Sequence, residues 1–249
     1  MLTNFLYTKS YLCSIISKRN LWDEIFMILL ILLGILFFIQ LLAASWYDLA
    51  KKAADSKNAL KHKILCSAVY VAAALLCTAI NGSLSAYALS FLVAVALLFI
   101  RDIIAEKRFR ATEFFSSAFT SVAYLSISVA LFLKNTELFG NGLFSSEIRI
   151  AVLIAVAVGC MLSETKAHGI APFISSVYML INAAILGISL QNSGDAKMQA
   201  ASCAVIMGAS ALAVSNGLLL FDKKEKKSLL RINMYYFGLM FISCSIAVL

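Results

Sequence analysis

The sequence predicts an all-α, polytopic membrane protein, a bundle of eight transmembrane helices, and three observations predict it. Of its 249 residues 62% are hydrophobic and 14% charged, and the mean hydropathy of +0.91 lies far above that of a water-soluble domain. The apolar residues come in long unbroken runs rather than strands of about ten residues with alternating polarity, which excludes a transmembrane barrel. A helix crosses roughly 30 Å of hydrocarbon with about 20 residues, so eight crossings use about 160, leaving short loops and no room for a separate soluble domain.

The first helix is the uncharged run Ile25 to Ser45, followed by Trp46 and Tyr47, which suit an interfacial belt. Residues 1–24 form an N-terminal extension, weakly ordered or lying ahead of a native start at Met27, and 25–249 form the membrane domain. Nothing before residue 22 has the layout of a cleaved signal peptide, since Lys9, Lys18 and Arg19 interrupt it. From Ile64 to Ile100 there is no charge, and this stretch is too long for one crossing. The turn chemistry of Asn81, Gly82 and Ser83 splits it into the second and third helices. The fourth runs from Phe114 to Leu133. The fifth is a short stretch from Ile150 to Ser163, with Arg149 and Glu164 near enough to its ends to snorkel. The sixth, about Gly169 to Leu190, holds the single proline, Pro172, in its first turn, where a missing N–H costs little. The seventh runs from about Met198 to Phe221 and the eighth from about Ile232 to Leu249.

A net charge of +8 could point to nucleic acid, but the basic residues lie between apolar runs and read as topology signals. With eight helices, 15 of the 21 Lys and Arg fall on one side and 6 on the other. Cytoplasmic loops carry the excess, so the basic loops are placed in the cytoplasm and both termini outside, in a bacterial inner (plasma) membrane. The partners implied are the bilayer and lipid; no nucleic acid is expected, and the oligomeric state stays open. The six cysteines are scattered without ligand spacing and read as buried free thiols. His62 and His168 lie in loops far apart, so neither a metal nor a cofactor is expected.

Polar side chains inside apolar segments are expensive, which makes them the default functional candidates. They are Gln40, Asp102, Glu164, Asn182, Ser215 and Asn216. Asn216 lies six residues before Asp222, about 9 Å inside the basic end at 1.5 Å per residue. Asp102 and Glu164 fall near the same side, so a cluster there is geometrically open. Against it, Asp102 and Arg101 can simply be solvated at a helix end, and Gln40 and Asn182 are read as interhelical hydrogen bonds. Tyr178, Tyr235 and Tyr236 line a pocket or mark interfaces; periodicity alone does not choose.

The last third of the chain carries a resemblance. The segment GASALAVSNGLLLFDKKEKKSLLRINMYYFGLMFISCSIA resembles the close of the lysoplasmalogenase family, the YhhN-type integral membrane hydrolases. There a Gly-Ala pair, a Ser-Asp pair, a following Leu, a basic loop and a double Tyr recur in this order. Gly208 and Ala209, Ser215, Leu219, and Tyr235 and Tyr236 match. Upstream, Lys63 and Leu65 resemble the family's Lys-Pro-Leu, Asp102 the Asp of its Gly-Asp pair, and Tyr178 its helix-six Tyr. The departures are equally definite. The family's second Asp is Asn216 here, its Gly before the first Asp is Arg101, its helix-four His has no counterpart among Phe119 to Ser126, and its helix-eight Gln falls on Leu239.

The resemblance implies hydrolysis of the vinyl ether bond of a lysoplasmalogen to a fatty aldehyde and a glycerophospho-alcohol. It makes Asp102 the catalytic acid and Ser215, Asn216, Tyr178 and Tyr235 substrate-pocket residues; Glu164 joins the pocket only by its side and depth, as a substitute for the missing carboxylate. Enol ether hydrolysis is limited by proton transfer to carbon, so it needs a general acid, which a second carboxylate would assist; an Asn at that position can hold water but cannot relay a proton. Two alternatives remain: a non-catalytic relative that binds a single-chain lipid, and a small transporter or sensory module of another family.

Overall fold

The computed structural model describes residue 28 and residues 31–82, 84–105, 110–140, 146–164, 170–221 and 228–249, and every regular element among them is a helix. In chain order these are α1 (Ile31–Lys52), α2 (Ser56–Asn81), α3 (Ala86–Ala105), α4 (Arg110–Phe139), α5 (Ser146–Glu164), α6 (Ile170–Gln191), α7 (Ala196–Phe221) and α8 (Ser228–Ile246). Seven of them, all but α5, are long and apolar enough to cross a bilayer. The N-terminal extension over 1–24 lies outside the described residues, as does Cys13.

Six helices close a ring: α2 packs on α3, α3 on α4, α4 on α6, α6 on α7, α7 on α8, and α8 returns to α2. The other two sit outside it. The fifth helix lies on α6 and α4. The first sets Phe37 against Phe237 and Phe241 of α8, at ring-centroid distances of 5.9 and 5.4 Å, and Trp46 against His62 of α2 at 5.7 Å. Lipid tails are as apolar as Leu, so no hydrophobic force drives such helices together; close backbone approach through small residues does. Ala73, Ala88, Ala94, Ala123, Ala183 and Ala209 are accordingly fully buried at helix contacts, while Leu75, Leu89, Val93, Ile181, Ile188 and Met207 face outward.

At one end of the bundle α1, α3 and α7 finish and α2, α4 and α8 begin. The turn between α1 and α2 is tight. Ala54 has a positive φ of 56°, and Asp55 caps α2 by accepting the Asn58 N–H at 3.1 Å. At the far end of α2, Gly82 adopts the left-handed conformation (φ 69°) that a residue without Cβ takes most readily, and its N–H returns to the carbonyls of Thr78 and Ala79. The expected turn after Asn81 is therefore where the chain turns. Tyr87 at the start of α3 bonds Ser245 at the end of α8 (2.6 Å), and Asn81 donates to the Ile246 carbonyl (2.6 Å), so those ends are level.

Two helix boundaries differ from expectation for a physical reason. The second begins at Ser56 rather than Ile64, because Asp55 supplies a cap there and Lys63 turns into the core. The fourth continues to Phe139 rather than stopping at Leu133, because Lys134 and Asn135 find partners within the protein: Glu137 at 3.2 Å, Arg149 at 2.9 Å and Ser189 at 3.2 Å. Arg149 does not snorkel; its side chain turns inward to Asn135 and over the Phe132 ring. Cys66, Cys77 and Cys160 are buried free thiols, whereas Cys203 is exposed on the lipid-facing side of α7 and Cys244 is partly exposed.

Candidate functional site

The buried face of α3 follows helical spacing through Tyr87, Phe91, Ala94, Leu98 and Asp102. The stripe that packs the core thus ends on a carboxylate, which is why Asp102 points inward with 1% of its surface exposed, against the alternative of a solvated helix end. On α7 the stripe Ser202, Val205, Ala209, Leu212 ends on Ser215 and Asn216. On α2 it begins with Lys63, Ser67 and Tyr70, and on α8 it brings in Tyr235 and Tyr236. These four stripes meet at the basic end.

Asp102 is held from three sides. Its Oδ1 accepts from Arg101 Nη1 at 2.5 Å, and its Oδ2 accepts from Ser67 Oγ at 2.7 Å and Tyr70 Oη at 3.4 Å. The Arg101 guanidinium lies 4.9 Å from the centre of the Tyr235 ring. Tyr235 packs edge-on against Tyr236 at 4.9 Å, and Tyr236 stacks with Tyr70 at 5.9 Å. Asn216 donates to Tyr124 Oη at 3.2 Å and to its own helix at the Leu212 carbonyl, 2.8 Å. Ser215 donates to the Arg231 carbonyl on α8 at 2.9 Å.

A cavity of about 370 Å³ opens among these groups at the basic end, and Asp102, Ser215, Asn216 and Tyr235 all line it. The α1–α2 turn contributes Lys51 and Asp55 to its lining. The Asn58 backbone N–H, and then the Asn58 side chain, hold the Asp55 carboxyl below its usual range. Among the described residues no group of three or more His, Cys, Asp or Glu is gathered to hold a metal ion.

Two expected pocket residues are not brought here. Tyr178 lies away from the cavity, because its face of α6 turns toward α5; its hydroxyl donates to the Arg149 carbonyl at 3.4 Å, beside the Arg149–Asn135–Ser189 group. Glu164 is the last residue of α5, and its side chain lies outside the described residues. Of the two amides expected to bond between helices, Asn182 donates instead to the Tyr178 carbonyl of its own helix, whereas Gln40 of α1 is buried against Cys66 of α2. Sequence reasoning missed Ser67, Tyr70 and Arg101 as site residues. The spacing of Lys63, Ser67 and Tyr70, which sets three polar groups on one face of α2, is the signal that reveals two of them.

No family model matches the chain, and searches of curated proteins and of solved structures return no match either.

Proposed function

We propose that the chain is an eight-span membrane protein of the lysoplasmalogenase kind. In this reading it lies in a bacterial inner membrane with basic loops cytoplasmic and both termini outside. It takes a single-chain ether phospholipid into its basic-end cavity and hydrolyses the vinyl ether. The observation that carries the reading is that Asp102 of α3 and, more than a hundred residues on, Ser215 and Asn216 of α7 and Tyr235 of α8 line one cavity at the bundle's basic end. The fifth helix is then the eighth span, its 19 residues rising about 28 Å.

In the reaction, the Asp102 carboxylate takes up a proton from water as its contact with Arg101 opens and gives it to the vinyl carbon distal to the ether oxygen, leaving an oxocarbenium ion. A water oriented by the Asn216 amide adds to that ion and returns a proton to the carboxylate. The resulting hemiacetal separates into fatty aldehyde and glycerophospho-alcohol. One of the donors now on Asp102 yields when substrate arrives.

A second reading, a lipid-binding relative without the reaction, is favoured by the same carboxylate. Both its oxygens already accept hydrogen bonds, and its partner across the cavity is an amide. Membranes containing the protein, incubated with a lysoplasmalogen, separate the two. The enzyme reading expects aldehyde above empty membranes, lost in Asp102→Asn and raised about 10²-fold or more in Asn216→Asp, the range a restored acid–base group contributes. No aldehyde from either the native chain or Asn216→Asp rejects it.

A further inference from the structure

We infer that the cavity selects single-chain phosphate monoesters over lipids with a quaternary-ammonium head group. This rests on the lipid-binding part of the reading above and adds the chemistry of the head. Among the described residues the lining includes the cations Lys51, Lys63, Arg101 and Arg231 and the carboxylates Asp55 and Asp102. Both carboxylates are committed. Asp102 is held by Arg101, Ser67 and Tyr70, and Asp55 accepts from Asn58 through its backbone N–H at 3.1 Å and its side chain at 2.6 Å.

A trimethylammonium group is recognised by a free carboxylate or by a cage of aromatic faces. The cavity has three tyrosine rings, Tyr47, Tyr235 and Tyr236, and the chain uses them itself. Lys63 lies 5.7 Å from the Tyr47 ring centre, Arg101 lies 4.9 Å from that of Tyr235, and Tyr236 is packed between Tyr70 and Tyr235. A ligand cation there would meet like charges at the rings that would otherwise attract it.

An anion meets the opposite situation. Arg101 Nε is buried and has no hydrogen-bond partner, and the Tyr235 hydroxyl lies beside it, with Tyr235 as a whole 7% exposed. Buried donors left unpaired are costly, and a phosphate oxygen satisfies them with charge-assisted bonds. A monoester carries close to two negative charges at neutral pH, because its second pKa is about 6. It therefore gains more from the cationic lining than a choline diester, whose quaternary ammonium meets the like charges of Lys63 and Arg101 at the Tyr47 and Tyr235 rings.

The chemistry is shared by a lipid phosphate and by free phosphate, and the experiment distinguishes them. The full chain, immobilised in neutral maltoside micelles, is offered radiolabelled lysophosphatidic acid, with unlabelled lysophosphatidylcholine of the same chain or inorganic phosphate as competitors. The monoester lipid is expected to bind at least tenfold more tightly than the choline lipid, with inorganic phosphate competing only in the millimolar range. Tyr235→Phe, which removes a hydroxyl from the cavity lining and keeps the ring under Arg101, should reduce that preference several-fold. The double variant Arg101→Gln/Asp102→Asn, which takes out the ion pair without stranding a buried charge, should abolish it. Equal or tighter binding of the choline lipid overturns the inference alone. Inorganic phosphate competing as well as the lipid reassigns the site to a soluble anion and overturns it as well. Binding of neither lipid fails the lipid reading itself.

Discussion

Asp102 and Arg101 show how a charge comes to lie inside a membrane-embedded bundle. Removing one partner of a buried pair costs about 3–5 kcal/mol, because the other is left uncompensated, so neither is free to vary alone. Arg101 and Asp102 were both legible as exceptions in an apolar run, but their inward direction was not. It follows from the register of Tyr87, Phe91, Ala94 and Leu98, which is fixed only once the third helix has neighbours. Ser67 and Tyr70 were harder to read, because hydroxyl side chains cost little in an apolar helix and give no signal in hydropathy. At the α1–α2 turn, Asp55 offers a test of pH dependence. Its carboxyl sits below the ordinary value of 3.8, held there first by the Asn58 N–H. A group whose folded value is depressed stabilises the fold above its unfolded value and loses that contribution as pH falls through the folded one. Asp55→Ala should therefore lower the thermal midpoint slightly at pH 6, since an exposed group is screened. The difference from the native chain should close as the pH is taken below 3.8. A difference that survives undiminished at pH 3 would show that the cap works without its charge.

Helix contacts set the next level, and the crossing of α7 and α8 is the tightest defined by glycine. A Cβ at Gly208 would lie 2.7 Å from the Gly238 carbonyl oxygen and 2.8 Å from the Ile242 nitrogen, and one at Gly238 would lie 2.8 Å from the Gly208 oxygen. Backbone cannot swing aside, so Gly208→Ala and Gly238→Ala should each cost about 1–3 kcal/mol or more as the helices are forced apart. Gly187 on α6 is a useful contrast. Its added Cβ meets the Ile206 side chain at 2.5 Å, and that side chain can change rotamer. Thermal unfolding in detergent should rank both α7–α8 variants well below Gly187→Ala; equal midpoints would mean that the close crossing carries no stability. Hydropathy located all eight helices, because each contains an apolar run. It misplaced ends where polar residues are absorbed by partners, as with Lys134 and Asn135, since hydropathy counts a paired charge and a solvated one alike. The same blindness put Tyr178 in the pocket: matching its position on a helix says nothing of which neighbour that face meets.

The arrangement of the whole bundle repeats. Advancing every helix by four reproduces most of the neighbour pattern: α2–α3–α4 becomes α6–α7–α8, the α4–α6 contact becomes α8–α2, and α5 lying on α6 and α4 becomes α1 lying on α2 and α8, while the slight backbone approach of α3 to α8 has no counterpart between α7 and α4 among the described residues. Asp102 near the end of α3 and Asn216 near the end of α7 then occupy equivalent places, so the cavity is where two four-helix units offer the same corner to each other. A repeat at this level was not legible in the sequence, because contacts between small residues fix it and these leave no shared motif in the two halves. Repeats also occur in transporters, but there the helices are typically broken at mid-membrane, and each described helix here runs unbroken. Four helices per unit return the chain to the side where it began, which makes α5 decisive for topology. Its start bonds Asn135 near the end of α4, through Arg149, while Cys160 near its finish reaches the Ala171 carbonyl at the start of α6, at 3.5 Å. Phe173 of α6 in turn meets Phe221 at the end of α7, with ring centres 6.0 Å apart, at the basic end. The fifth helix thus runs the same course as its neighbours, and in a bilayer it should carry the chain across. Alkaline phosphatase fused after residue 142 or residue 249 should be active in a bacterial host, and fused after residue 167 or residue 224 it should be silent. Equal activity after 142 and 167 would mean that α5 does not cross, and the basic loops would then no longer share one side.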